Sequence, residues 1–233
     1  MHTIIQSFQF FGNHLHLFRT KTGQQLELSL ASIGIAMALA IPVGVWLGHI
    51  HRGSFLAINV CNIGRALPSL AVISIGIGIL GIGFTNTMVA LVILAGPVML
   101  TNAYVAVEQV DASAVQAARA MGMRPWQVLV RVELPLATPL LFAGIRTGTV
   151  FVIATATLAT FAGGGGLGDI IANEASYGTA GVVAASLTIT VLAFAVDGLL
   201  ALVQRALTAP PLRHQTDALR TVASVTDLST EAP

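Results

Sequence analysis

Residues 111–135 read DASAVQAARAMGMRPWQVLVRVELP, a polar stretch in the middle of an otherwise apolar chain. Asp111 can cap a helix over the alanine-rich residues that follow it, and Gly122 stands where a helix commonly ends in a left-handed residue. Pro125 suits the first turn of a second helix, which we expect Leu134-Pro135 to stop. The stretch therefore predicts a compact knob outside the bilayer, made of two short helices joined by a glycine bend.

The composition around this stretch is that of an integral membrane protein. Of the 233 residues, 55% are hydrophobic and 9% are charged, whereas a soluble domain carries about 25% charged residues. A single cysteine, Cys61, excludes a disulfide framework within the chain. The net charge of +1 and the lack of a strong basic patch indicate no nucleic-acid partner.

Continuous apolar runs on both sides of the polar stretch predict an all-α fold of five transmembrane helices, because a spanning helix needs about 20 mainly apolar residues. The runs are Leu28–Ile50, Leu56–Ile82, Phe84–Val107, Leu136–Phe161 and Ala180–Leu207.

This pattern divides the chain into an N-terminal interfacial segment at 1–26, a membrane domain at 27–207 and a cytoplasmic, disordered tail at 208–233. The membrane domain contains the polar loop at 108–135. The first segment mixes phenylalanines with polar residues, as at a water–lipid boundary, and a partly disordered leader is the alternative.

The positions of arginine and lysine orient the predicted helices, because cytoplasmic loops carry an excess of these residues. When 108–135 is placed inside the cell, the external positive residues are Arg19 and Lys21. The cytoplasmic ones are then Arg52, Arg119, Arg124, Arg131, Arg205, Arg213 and Arg220. We therefore expect the N-terminus outside and the C-terminus in the cytoplasm.

The spacing within 111–135 resembles the cytoplasmic loop of ABC-importer permeases, whose pattern is E-A-A, three residues, G, nine residues, I, one residue, L-P. The matching residues are Gln116, Ala117, Ala118, Gly122, Val132, Leu134 and Pro135. Gln116 and Val132 depart from the family pattern, and glutamine offers a hydrogen bond where glutamate could offer a charge. The resemblance implies that an ATPase docks at 111–135, where the small Ala117 and Ala118 would let its surface approach closely.

Further segments look like the osmoprotectant branch of that family, a bacterial inner-membrane permease. They are RALPSL at 65–70, GIGF at 81–84, ELPL at 133–136, GIRT at 144–147 and GGLGD at 165–169. The resemblance covers residues 28–207 and implies import of glycine betaine, choline, carnitine or proline. A methionine-type permease, which carries a similar glycine-rich segment, and an ATP-independent secondary transporter are the alternatives.

The same resemblance implies partners on other chains. They are two ATPase subunits that bind ATP and Mg²⁺, a second permease copy, identical or paralogous, and an extracytoplasmic solute-binding protein, with membrane lipid around the spans. We expect no cofactor in this chain and no enzymatic activity of its own. Its histidines show no metal-ligand or catalytic spacing, and His49 and His51 are interpreted as anchors at the end of a span.

The glycine-rich run at 163–168 could suggest a phosphate-binding loop. A Walker loop needs a lysine that reaches the phosphates and a preceding strand, and neither is present. Because the predicted topology puts this run outside, we interpret Gly165, Gly166, Gly168 and Asp169 as a mobile external turn near the outer gate. A plain flexible loop is the alternative.

Charged and polar residues within the predicted spans are candidates for the translocation path or its gate, because an arginine at the centre of a helix costs roughly 2.5–3.5 kcal/mol on insertion scales. A proline that frees a backbone carbonyl is a candidate as well. These residues are Arg65, Pro68, Ser69, Asn102, Arg146 and Asp197. Asp197 is a possible counter-charge for an arginine. The alternative is that the arginines only brace neighbouring helices and that the prolines only kink them.

Overall fold

The computed structural model describes residues 2–51, 55, 59, 62–64 and 66–207, and every regular element in this part of the chain is helical. The helices, numbered here in chain order, are α1 His2–Asn13, α2 Leu15–His49, α3 Ser69–Leu80, α4 Phe84–Glu108, α5 Ala112–Ala120, α6 Pro125–Val128, α7 Leu134–Thr155, α8 Gly168–Ala172 and α9 Glu174–Leu207. A π-turn at Leu129–Glu133 joins α6 to α7, and a 3-10 turn at Ala156–Ala162 follows α7. The predicted all-α class is confirmed, while the predicted tail at 208–233 lies outside the described residues.

Four helices in the described part of the chain are long and apolar enough to cross a membrane. They are α2, α4, the continuous helix from Pro125 to Ala162, and α9. Three of them contain a proline inside the helix, at Pro42 in α2, Pro97 in α4 and Pro139 in α7, and the fourth, α9, is bent at Gly178, which has a positive φ of 66°.

The second predicted span, Leu56–Ile82, is not one continuous helix. Its last part is α3, a helix of 12 residues that begins after Pro68, and Pro68 itself is extended with φ −65° and ψ 122°. A proline has no backbone N–H and disfavours the helical conformation in the residue before it, here Leu67. The chain therefore breaks at Leu67-Pro68, where apolar character alone predicted a helix.

Helix α2 begins earlier than the predicted start at Leu28. It starts at Leu15, so the second half of the segment predicted as interfacial is one helix with the first span. The first half is α1, which packs against α9, and the rings of Phe10 and Tyr177 meet edge to face with centroids 6.5 Å apart.

The most extensive contact between helices in the described part of the chain is that of α2 with α4. Ala36, Ala40, Gly44 and Gly48 recur every fourth residue on α2, so they lie on one face of the helix. A Cβ atom added at Gly44 would lie 2.4 Å from the Leu100 carbonyl oxygen, and one at Gly48 would lie 2.8 Å from that of Tyr104. Small residues at these positions let the two backbones come close together, and such close packing is what holds membrane helices to one another.

Substituting glycines of α2 tests this contact. Gly44→Ala is expected to destabilise the purified protein by roughly 1–3 kcal/mol, because the new methyl group overpacks against backbone that cannot move aside. Gly34→Ala, on the same helix, adds its methyl group to open space and is expected to stabilise by up to about 1 kcal/mol through helix propensity. Melting temperatures in detergent should therefore move in opposite directions, and equal shifts would contradict the proposed packing.

Candidate functional site

The polar stretch folds into the predicted knob, and its first helix begins as expected. The Asp111 carboxylate accepts a hydrogen bond from the Ser113 backbone N–H at 2.8 Å, at the start of α5. That hydrogen bond, chiefly, holds the pKa of Asp111 below its usual value. The cap therefore stays ionised at neutral pH, and it weakens only when acid protonates the carboxylate.

Gly122 forms the predicted bend. It has a positive φ of 80° and directly follows the C-cap residue Met121. The Gly122 N–H donates to the Arg119 carbonyl at 2.9 Å, and the Met123 N–H donates to the Ala118 carbonyl at 3.2 Å. These two bonds form a Schellman motif, which satisfies carbonyls left over at the helix end.

The second helix of the knob does not stop at Leu134-Pro135, and this prediction is wrong. Pro125 occupies the first turn of α6 as expected, but the helix then continues through the π-turn at Leu129–Glu133 into α7. The Leu134 N–H bonds to the Leu129 carbonyl, five residues back. This wider turn accommodates Pro135, which has no N–H to continue the regular ladder.

The residues matched to the permease pattern divide between the surface and the interior of the knob. Gln116 and Ala117 are exposed, whereas Ala118 is 1% exposed and packs with Val115 and Val128 inside the knob. The outer surface instead presents large apolar side chains, Met121 at 72% and Trp126 at 71% exposure. Of the remaining matched residues, Val132 lies in the π-turn, and Leu134 and Pro135 are the first two residues of α7.

A buried contact that the sequence pattern did not reveal joins the knob to α2. The Nδ1 atom of His49, the last residue of α2, lies 2.6 Å from Oε2 of Glu133 in the π-turn. The sequence indicates only a boundary anchor at His49, since no carboxylate stands at a ligand spacing from it. The local signal in the sequence is a glutamate between Val132 and Leu134, since a charged side chain flanked by apolar ones needs a partner if it is buried.

Within the spans, the structure pairs Arg146 on α7 with Asp197 on α9. The guanidinium donates two hydrogen bonds, Nε to Oδ1 at 2.7 Å and Nη2 to Oδ2 at 2.6 Å. Gln204, about two turns further along α9, lies 3.5 Å from Nη1 and also donates to the Pro139 carbonyl at 3.2 Å. The forked geometry makes this a directional brace between two helices.

The other candidate path residues do not join this pair. Asn102 on α4 packs against Gly144, and its amide donates to the Val98 carbonyl at 2.7 Å. Positions 144 and 146 point to nearly opposite sides of α7, so Asn102 and Arg146 face different neighbours. Pro68 and Ser69 lie at the start of α3, which packs on α4 and the 3-10 turn. Arg65 lies outside the described residues.

The glycine-rich loop makes polar contacts with α2, and its expected mobility stays a prediction. The Gly166 N–H donates to the Gln24 side-chain oxygen at 3.2 Å, and Lys21 forms an ion pair with Asp169 at 2.5 Å. Gly165 and Gly166 both have positive φ. Gly168 also lacks room for a side chain, because a Cβ atom would lie 1.9 Å from the Thr157 carbonyl oxygen.

Gln25 adds a second link beneath the same loop. It is fully buried, and its amide donates to the Ile153 carbonyl at 3.0 Å, where α7 gives way to the 3-10 turn. Carbonyls at a helix end need such outside partners. The loop contacts α2 at Gln24 and the knob contacts it at His49. At 1.5 Å per residue these two positions are roughly 37 Å apart along the helix, so the two contacts lie toward opposite ends of α2.

Comparison with known proteins places this architecture in a family. Residues 40–209 match the model described as the binding-protein-dependent transport system inner membrane component. The chain belongs to this family. It is thus a permease subunit of the inner membrane, and the matched range contains the knob, the Arg146–Asp197 pair and the glycine-rich loop.

Curated relatives of this permease align over most of its length. The glycine betaine/carnitine/choline transport system permease protein OpuCB of Bacillus subtilis is 36% identical over 81% of this chain and 87% of its own. The choline transport system permease protein OpuBB of the same organism is 37% identical, over 89% and 95% of the two chains. The carnitine transport permease protein OpuCB of Listeria monocytogenes is 35% identical, over 88% and 94%.

Among solved structures, the permease resembles a chain of the MetNI methionine ABC transporter. The TM-score is 0.72, with 22% identity over 84% of this permease and 98% of that chain. At this identity the likeness shows a shared fold.

Removing one or both charges of the Arg146–Asp197 pair tests the brace. Asp197→Ala leaves the guanidinium without its carboxylate, at a cost of up to roughly 2.5–3.5 kcal/mol on insertion scales. The double variant Arg146→Leu/Asp197→Leu leaves no unpaired charge, so we expect it to melt at a higher temperature in detergent than Asp197→Ala. If the melting temperature of the double variant is equal to or lower than that of Asp197→Ala, the pair stabilises the bundle through the packing of its side chains.

Proposed function

We propose that this permease forms the membrane pathway of an ATP-driven importer for a small compatible solute such as glycine betaine, choline, carnitine or proline. The observation that carries the proposal is the alignment with osmoprotectant permeases over 81% and 89% of the chain. The folded knob at 111–135 supports it. A quaternary ammonium solute is recognised by an aromatic cage. With two tryptophans and two tyrosines in the chain, recognition is assigned mainly to a separate solute-binding protein.

The knob is the docking site for an ATPase in this proposal. Its exposed Met121 and Trp126 offer apolar surface, and the exposed Gln116 offers a hydrogen bond. Two ATPase subunits bind ATP and Mg²⁺, and their closure moves the knob about Gly122. Because the knob continues as one helix into α7, its movement reaches the spans and alternates access to the solute.

The proposed orientation puts the knob in the cytoplasm and the glycine-rich loop outside, facing the solute-binding protein. Their separation along α2 matches a bilayer, whose hydrocarbon core is about 30 Å thick. Arg119, Arg124 and Arg131 lie in the knob region, in keeping with the positive-inside rule.

A second permease copy completes the pathway. Helix α9 exposes large apolar side chains along much of its length, among them Val191, Phe194, Leu199 and Leu202. Lipid and the second copy share this apolar surface. The copy is an identical or a paralogous chain.

Two other transport functions are less well supported. A methionine importer shares the fold, but the aligned curated relatives carry osmoprotectant names. A secondary transporter needs an intramembrane carboxylate free to couple to an ion. Asp197 is bound by both nitrogens of the Arg146 fork, so it is engaged in an ion pair.

Reconstitution with its ATPase and solute-binding protein tests the proposal. Proteoliposomes should accumulate radiolabelled choline or glycine betaine when the ATPase side has ATP and Mg²⁺. A non-hydrolysable ATP analogue should abolish uptake, and radiolabelled methionine should not accumulate. Uptake of either solute without nucleotide would favour a secondary transporter, and uptake of methionine alone would favour the methionine-type importer.

Gly122→Val tests the bend at the centre of the knob. The substitution should leave the protein in the membrane but abolish ATP-driven uptake, because a β-branched residue resists the positive φ that the bend requires. Gly122→Asn is the matched control, since asparagine adopts the left-handed conformation with little strain, and it should keep most of the uptake. Normal uptake by the valine variant would count against the bend.

A further inference from the structure

Glu133 is a buried carboxylate for which the family pattern assigns no role. It is 1% exposed, and its only partner among the described residues is His49, itself 13% exposed. The second oxygen, Oε1, is buried and has no hydrogen-bond partner in that part of the chain. A half-satisfied carboxylate is costly to bury, so packing alone would favour an apolar residue here.

The contact lies where three parts of the molecule meet. Val45, one turn before His49, and Leu129, one turn before Glu133, belong to the same apolar cluster. Ala103 and Val107 of α4 belong to that cluster as well. The end of α2, the end of α4 and the π-turn are therefore packed together, and the His49–Glu133 contact lies beside this apolar cluster.

We propose that His49 and Glu133 are positioning residues that transmit movement of the knob to α2. An apolar cluster allows helices to slide past one another, whereas a hydrogen bond at 2.6 Å between defined atoms fixes their register. Glu133 moves with the knob because it belongs to the same continuous helix. His49 moves with α2, whose other end contacts the glycine-rich loop. This inference rests on the proposed ATP-coupled import.

The test is the amount of solute imported per ATP hydrolysed, measured in one sample of proteoliposomes that hold the complete importer. The variants are His49→Ala, Glu133→Ala and the double variant, with radiolabelled choline and glycine betaine as probes. We expect the ratio to fall roughly fivefold or more in each single variant, as for the loss of one allosteric coupling. The double variant should be no worse than the worse single one, because both changes remove the same contact.

The control is His51→Asn, two residues further along the chain. His51 is exposed and has a φ of 47°, which asparagine tolerates, so its ratio should stay at the wild-type value. His49→Gln keeps a side-chain donor and should restore much of the ratio, whereas His49→Leu, of similar volume, should not. The comparison of His49→Gln with His49→Leu tests the role of the contact if the alanine variants fail to assemble.

The outcomes separate this inference from the proposed function. A wild-type importer that accumulates solute with ATP, together with an unchanged ratio in His49→Ala and equal ratios in the glutamine and leucine variants, would overturn the role of the contact alone. A fall in transport and hydrolysis by the same factor would also overturn it, because it would show a purely structural role. A wild-type importer that accumulates neither solute would count against the proposed function itself.

Discussion

The close approach of α2 and α4 is the contact on which the rest of the bundle depends. Lipid solvates apolar side chains as well as another helix does, so membrane helices associate through close packing and polar contacts. Gly44 and Gly48 bring the α2 backbone against the Leu100 and Tyr104 carbonyls. This places the end of α2 beside the π-turn, and it is why His49 can reach Glu133.

The π-turn at Leu129–Glu133 determines how the knob is connected. A proline that ended the helix would leave a hinge between the knob and the fourth span. The wider turn keeps Pro135 inside one helix that runs from Pro125 to Ala162. The bend at which the knob can change its angle is therefore at Gly122. From Pro125 onward the knob is one continuous helix with α7.

Local chemistry made part of this site predictable from sequence. The Asp111 cap, the left-handed Gly122 and the position of Pro125 each depend on a few neighbouring residues, and all three are as predicted. The features that the sequence did not predict do not depend on neighbouring residues alone. The break at Pro68 and the π-turn before Pro135 depend on how one proline is accommodated, and the pairing of His49 with Glu133 depends on tertiary packing across 84 positions of sequence.

Polar side chains of α2 contact both the glycine-rich loop and the knob, and both contacts depend on tertiary packing. Lys21 and Gln24 hold the glycine-rich loop at one end, and His49 meets the knob at the other. Each of these contacts ties α2 to a segment far away in sequence, while Arg146 ties α7 to α9. Helix α2 thus has polar contacts to both the loop and the knob, and a shift along its axis would displace its side of both contacts.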